Sequence, residues 1–597
     1  MTLRSLHPSV LATSIVYATL ALGIVMPGVC AQISTTQPSN TVHQTDPWWK
    51  HAVIYEIYPR SFQDSNGDGV GDINGITSRL NYLQKLGVDA IWITPMYPSP
   101  QVDFGYDISD YTAIDPQYGT MADFEHLVTE AKSHNIRVIM DFVPNHTSDQ
   151  HPWFKESRSS RTNPKRDWYI WHNPKGFNAD GTPIPPNNWQ SWFGHSAWQY
   201  DPTTKQFYYH HFYVQQPDLN WRNPLVQRAM LNVLRFWLDK GVAGFRIDAV
   251  SRLFEDPDLH DDPYLPGHNA YGDRNIQHKY TDNLPEVHDM LRQMRSVIDK
   301  YPGNPVLISE ADEPNIAELT RMYGRKNDEV QLPMDFQVAD VNELSVPRFR
   351  DLIQQVEANA SRNQPYFFFG NHDQDRLWDR YSQGVPANSP DAPLLRARIA
   401  RIMATLLLTP RATPQLYYGD EIGMVTTPPT RIEDVKDPIG VTGWPKEKGR
   451  DGERTPMQWS PGLDAGFSTS RTPWLPIAAN YPTINVNTEM PEPDSMLTWY
   501  IHLIDLRRSH PALHDGSVVM LDTSDQNILV YERKGDPGKA SVIVALNFTS
   551  KPQILRFSTL ATGTAQPKTL LTDDPSPRMT NTAITLAPYA TWIAETP

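Results

Sequence analysis

Four apolar runs in this sequence end in, or are broken by, side chains that can give up protons, take them or attack an electrophile. Asp141 and His146 follow the run that starts at Ile136, and Arg246 and Asp248 interrupt Gly244-Phe245-Arg246-Ile247-Asp248-Ala249-Val250. Glu310 closes Val306-Leu307-Ile308-Ser309-Glu310, while His372 and Asp373 follow Tyr366-Phe367-Phe368-Phe369-Gly370-Asn371. A charge inside an apolar strand is costly unless it is paired or used. Arg246 stands two residues from Asp248, on the same strand face, and supplies one pairing. Four such placements in succession exceed what structural ion pairs explain. Carboxylates with histidine and arginine neighbours suit general acid/base and covalent catalysis.

The elements that must position them alternate. In Ile76 to Leu86 the apolar Ile76, Leu80, Leu83 and Leu86 recur at helical spacing, Gly87 supplies the stop, and a strand follows at Asp89 to Ile93. The unit returns at 136–142, 244–250, 306–310, 366–369 and 415–418, with helical patterns over 226–239 and 394–408. About eight such units predict an α/β fold, a closed (β/α)8 TIM barrel over 47–144 and 217–514, with its site at the C-terminal ends of the strands. Residues 145–216 are rich in Trp, Tyr, His, Asn and Pro without a long helical pattern, and read as a small inserted B domain after the third strand. Past the helix at Trp499 to Arg508, alternating runs at 528–531, 541–546 and 591–593 predict a C-terminal all-β sandwich over 515–597.

With 597 residues, 39% hydrophobic and 20% charged, the chain is globular. Its net charge of -15 comes with no basic run interleaved with aromatics, which argues against nucleic acid or an anionic membrane as partner and suits a neutral one. Residues 1–31 carry Arg4, an apolar stretch from Val10 to Val25 and Val29-Cys30-Ala31, and read as a secretory signal, with a membrane anchor as the alternative. Residues 32–46 read as a disordered leader. Cleavage after Ala31 would remove Cys30, the one cysteine, and leave an exported chain, periplasmic or extracellular, without disulfides.

Asp64-Ser65-Asn66-Gly67-Asp68-Gly69-Val70-Gly71-Asp72 spaces oxygen donors two apart in a Gly-rich loop, as a Ca²⁺ site requires. It starts like an EF-hand, but Gly75 stands where the twelfth-position Glu would be, so that assignment fails.

Asp141-Phe142-Val143-Pro144-Asn145-His146, Gly244 to Asp248, the Glu310 strand and Asn371-His372-Asp373 together resemble the four motifs of the α-amylase superfamily of glycoside hydrolases and transferases. Gln216-Pro217-Asp218-Leu219-Asn220 and Arg450 to Trp459 are similar to the α-glucosidase and oligo-1,6-glucosidase branch. The resemblance implies Asp248 as nucleophile, Glu310 as general acid/base and Asp373 as the grip on sugar hydroxyls. Arg246 is expected to keep Asp248 ionised, whereas Glu310, without an adjacent base, is expected to hold a proton. His146 and His372 are implied as neutral donors to the sugar. Asp103-Phe104-Gly105-Tyr106-Asp107 resembles the pocket motif whose Asp binds terminal glucose and whose Tyr stacks on the ring. Arg450 resembles the partner that walls off this pocket, with Arg454 as the alternative, and a closed pocket means exo action.

Of the inserted-domain aromatics Trp189, Trp192, Phe193 and Trp198, burial accounts for most, and Phe193 is the one expected on the acceptor side. The acidic loop resembles the metal loop of oligo-1,6-glucosidases, with Asp64, Asn66, Asp68, the Val70 carbonyl and Asp72 as Ca²⁺ ligands, and a metal-free turn as the alternative. No organic cofactor is expected. Ala249, directly after the nucleophile, is associated in the family with α-1,4 over α-1,6 linkages. The implied substrates are maltose and short α-glucoside oligosaccharides. A glucosyltransferase or isomerase on the same scaffold stays open, although Glu343 to Phe349 lacks the Arg-Leu-Asp-Arg-Asp signature of sucrose isomerases. An intact catalytic trio argues against a non-catalytic, transporter-associated member.

Overall fold

The computed structural model describes residues 46–596 apart from 387, 471, 522 and 561–565. The signal reading and nearly all of the leader therefore lie outside the described residues. Eight parallel strands run in chain order: β1 (Ile54–Ile57), β2 (Ala90–Ile93), β3 (Arg137–Phe142), β4 (Gly244–Ile247), β5 (Val306–Ser309), β6 (Leu332–Pro333), β7 (Tyr366–Phe367) and β8 (Thr413–Tyr417). Each pairs with its sequence neighbour from β1 to β6, β8 pairs with both β1 and β7, and a parallel bridge between Met334 and Tyr366 closes the ring. This is the (β/α)8 barrel that the alternating pattern predicts.

The residues explain the elements. Leu80–Leu86 ends at Gly87, whose φ of 97° is the left-handed conformation that a C-terminal glycine supplies. The helix Met121–Ser133 opens with a capping box between Thr120 and Asp123. Pro224–Asp239 begins with Pro224 after the Asn223 cap. One helix predicted as continuous over 76–86 is two, Ile73–Ser78, which Asp72 caps by accepting from the Gly75 N–H, and Leu80–Leu86, because Arg79 between them leaves helical geometry with φ -104° and ψ 3°. Inside the barrel, Ile54, Ala90, Trp92, Ile139, Val306, Ile308, Leu332 and Phe368 pack as one core, so the lower barrel is solid.

Between β3 and β4 the chain builds a small unit with a helix, Pro152–Ser159, and a three-stranded sheet of 171–172, 206–209 and 198–201. Its core of Trp189, Ala197, Trp198, Phe207 and Tyr209 accounts for two of the four aromatics in question. The C-terminal region forms a five-stranded and a three-stranded antiparallel sheet. Val530, Ile543 and Ala545 face Leu555, Ile584 and Leu586 across the sandwich, while the alternate Leu529, Tyr531, Val542 and Val544 pack on the barrel. Among the described residues no helix is long and apolar enough to cross a membrane.

Candidate active site

The four strand ends deliver their side chains to one place. Strand β4 stops at Ile247, so Asp248 stands just beyond it. The next residue, Ala249, adopts φ 44° and ψ 39°, left-handed values that turn the chain sharply into a short 3-10 segment, Val250–Arg252. Such a backbone is uncommon outside glycine, asparagine and aspartate, and strain of this kind concentrates at functional sites. Glu310 follows β5, and its Oε2 accepts the Ala249 N–H at 2.9 Å.

Arg246 organises the carboxylates. Fully buried, it donates through Nη1 to Asp248 Oδ1 at 2.6 Å and to both oxygens of Asp141 at 3.2 Å, and its Nη2 lies 2.8 Å from Glu310 Oε1. The expectation that Glu310 lacks a basic neighbour is therefore corrected. β5 pairs with β4 in the register Ile308 to Arg246, which brings a residue 64 positions away to the same guanidinium, a proximity that spacing within one strand cannot reveal. Burial pushes Asp248 well above the usual carboxylate range, with Arg246 pulling the other way. Asp141 is raised to about 6, also by burial.

Asp373 shows the opposite balance. Burial would raise it, but the His372 ring, Arg450 and Arg454 outweigh that and hold it well below the usual range. Arg450 Nη1 and Arg454 Nη2 reach Asp373 Oδ1 at 3.0 and 2.6 Å. Arg450 also donates to Asp103 Oδ1 at 2.8 Å and, through Nε, to Asp437 Oδ2 at 2.7 Å, whereas Arg454 is turned inward to the His372 carbonyl. Of the two arginines, Arg450 is thus the partner of Asp103. Tyr106 donates to Asp141 Oδ2 at 3.1 Å and lies 2.7 Å from His372 Nε2. His146 contacts Asn145, the Tyr106 carbonyl and Gln216, and burial lowers it to about 4, so it is neutral at neutral pH.

Asp103, Tyr106, His146, Phe193, Asp248, Ala249, Glu310, Asp373 and Arg450 line a single cavity of about 330 Å³, joined by Trp192, Phe212, Gln216, Ile439 and Glu447. Phe193 stacks on Tyr213 with centroids 4.3 Å apart. Arg246 and His372 support the cavity from beneath.

Residues that the sequence reading passed over complete the arrangement. Glu56, fully buried in β1, lies 2.7 Å from His372 Nδ1 and accepts from Gln415 Nε2 at 2.7 Å. A charge inside the run Ile54-Tyr55-Glu56-Ile57 was the available signal. Asp437 offered none, because its role depends wholly on Arg450.

Two guanidinium-centred carboxylate groups, that of Arg450 and that of Arg246, thus meet at one cavity, and relatives share the architecture. Residues 56–516 match the family model of the alpha amylase catalytic domain. The chain belongs to the alpha-amylase family. It is therefore a glycoside hydrolase. It is 42% identical over 486 residues to a probable alpha-glucosidase of Rhizobium meliloti (strain 1021), covering 80% of this chain and 85% of that one. It is 38% identical to an oligo-1,6-glucosidase of Parageobacillus thermoglucosidasius, with 85% and 92% covered. Among solved structures, an alpha-glucosyl transfer enzyme superposes with a TM-score of 0.82 at 38% identity, covering 92% of this chain and all of that one.

Away from the cavity, the 64–72 loop is organised by its own oxygens. Asp64 accepts the N–H groups of Asn66, Gly67 and Gly69 at 3.0, 2.7 and 2.8 Å. Asn66 accepts from Asp68, Asp68 from Val70, and Asp72 from Ser65 and Gly75. The donors are all oxygens, the chemistry a hard cation selects. Among the described residues, Asp64, Asp68 and Asp72 are not a trio whose carboxylate oxygens lie within 4.8 Å of one another.

Proposed function

We propose that this alpha-amylase family member is a retaining, exo-acting α-glucosidase that releases glucose from the non-reducing end of maltose and short α-glucosides, with α-1,4 linkages preferred. The observation that carries the reading is the network in which Arg450 ties Asp103, Asp373 and Asp437 together at the cavity that Asp248 and Glu310 also line, which we read as a wall beyond the terminal sugar. A chain end fits such a pocket and a chain middle does not.

Asp248 attacks the anomeric carbon and forms a glucosyl-enzyme ester, while Glu310 gives its proton to the departing oxygen. Water then enters, Glu310 takes a proton from it, and the hydroxyl displaces Asp248 with net retention. Both groups are bound by one guanidinium, which suits the close carboxyl pair, about 5 Å apart, of double displacement. Asp373, kept ionised by its two arginines, grips ring hydroxyls, and Tyr106 presents an aromatic face to the sugar. The Asp64 to Asp72 loop is proposed to hold a structural Ca²⁺, and residues 1–31 to export the protein.

Time courses with maltose, isomaltose, sucrose and trehalose test the reading, with the anomer of the first product followed by NMR. α-Glucose released fastest from maltose is the expected result. Sucrose or maltose converted mainly to isomers or longer oligosaccharides would instead favour a transferase. Asp248→Asn and Glu310→Gln should each abolish most turnover without loss of fold, and near-normal rates in either would remove its assigned role.

A further inference from the structure

We propose that Trp192 is the platform for the second sugar ring, and that Arg252, anchored by Asp282, is the positioning residue that holds its indole in place. The inference rests on the α-glucoside reading above. Trp189 and Trp198 are 1% and 4% exposed and form the core of the inserted unit, but Trp192 is 48% exposed and lines the same cavity as Asp248, Ala249 and Glu310. The terminal glucose is already bounded by Asp103, Asp373, Arg450 and Tyr106. An open indole at the same cavity therefore serves the ring that follows. Its flat apolar face complements the C–H face of a sugar, as aromatic residues do in polar binding sites.

The support beneath Trp192 is built, not incidental. The Arg252 guanidinium lies 4.9 Å from the indole centroid, a cation–π distance. Arg252 is 7% exposed and ion-paired with Asp282, so its direction is fixed. Its carbonyl accepts from Asn145 Nδ2 at 2.7 Å, and the adjacent Ser251 carbonyl accepts the Asn283 N–H at 2.8 Å. The Trp192 backbone N–H donates to the His211 carbonyl at 2.8 Å, and the His211 and His278 rings lie 6.4 and 6.0 Å from the indole. Arg252 also ends the 3-10 segment that begins at Val250, directly after Ala249. The wall beside the nucleophile and the platform for the second ring are thereby one mechanical unit.

The test compares kcat/KM on maltose with that on α-glucosyl fluoride, which has a leaving group but no second ring. Trp192→Ala should lower the maltose-to-fluoride ratio about tenfold, mainly through KM, and Trp192→Phe should recover part of it. Arg252→Ala should lower the ratio by a smaller factor, with partial rescue by Arg252→Lys, which keeps the cation. Circular dichroism separates misfolding from either effect, and Trp192→Phe keeps the test decisive if Arg252→Ala does not fold. A ratio within twofold of the parent in Trp192→Ala overturns the platform. A parent enzyme that hydrolyses neither substrate would instead overturn the α-glucosidase reading itself.

Discussion

Ala249→Val separates two consequences of one side chain, because the residue that shapes the wall beside Asp248 also occupies a left-handed backbone position. A β-branched residue is disfavoured there by about 1–2 kcal/mol. For a chain of this length, unfolding entropy near 2 cal/mol/K per residue makes that worth only ~1–2 °C in Tm, so the variant should remain folded and its kinetics interpretable. The specificity effect is larger. Ala249 is 8% exposed and lines the cavity, so two added methyl-sized contacts meet the leaving sugar directly. Contacts of that size are worth about 1–3 kcal/mol, or roughly ten- to two-hundredfold in relative kcat/KM.

The assay is kcat/KM for maltose and isomaltose, measured in the parent, in Ala249→Val and in Ala249→Gly. Glycine relieves the φ of 44° while keeping the N–H that Glu310 accepts. The parent should prefer maltose, Ala249→Val should move the ratio at least tenfold toward isomaltose, and Ala249→Gly should keep the maltose preference. A parent that prefers isomaltose would refute the argument from the wall. An equal fall on both substrates in Ala249→Val would show that displaced backbone, not the wall, had changed the enzyme.

Stripping metal with a chelator should lower Tm more than it lowers the initial rate, since the 64–72 loop contributes nothing to the cavity lining and binding to the native state alone stabilises it; an unchanged melting curve with no metal by elemental analysis would leave the loop a plain turn. Arg450→Ala removes one cation from Asp103, Asp373 and Asp437 together, at about 3–5 kcal/mol for an opened buried pair, so Tm should fall by a few degrees and kcat/KM by at least about a hundredfold, with Arg450→Lys recovering only part because a point charge cannot serve three carboxylates. Glu489 is raised by burial from 4.5 to about 8, so the folded state keeps a proton that the unfolded chain loses, and its contribution to stability declines as pH rises between those values. Urea midpoints of Glu489→Gln should therefore fall less than the parent's between pH 5 and pH 8, and parallel curves would contradict the shift.

Most of the barrel was legible because its strands are short apolar runs punctuated by helices at the right spacing. Two strands, β1 and β6, were not among the runs read from the sequence. Leu332–Pro333 is two residues long and contains a proline, so neither period nor propensity marks it, and only its pairing with Ile308 and Ser309 makes it a strand. At the site, residues that end apolar runs were readable one by one, since each violates the polarity of its surroundings. Their partners were not. Asp437, Gln216 and the Arg246 contact to Glu310 join positions tens to hundreds of residues apart, and sequence patterns report only local order. Trp192 illustrates the same limit. Beside Trp189 and Trp198 its chemistry is identical, and only packing shows which indole is left open.

The charge balance gives the division of labour a physical basis that adjacency within one strand could not. Asp373 is met by two guanidiniums, one of them shared with Asp103 and Asp437, and is held well below the usual carboxylate range, whereas Asp141, Asp248 and Glu310 share one. Burial of Asp141 and Asp248 around that single guanidinium raises both above the usual carboxylate range, and Arg246 opposes the rise in each. A sugar entering with its anomeric carbon over Asp248 brings positive charge only as the transition state forms. That developing charge favours the ionised form of Asp248, the nucleophile of the proposed mechanism, while Glu310, whose side chain is the more exposed of the two, lines the same cavity. The acid and the nucleophile of the proposed mechanism are therefore distinguished by their exposure and by how each meets the charge that the substrate develops, with Arg246 touching both.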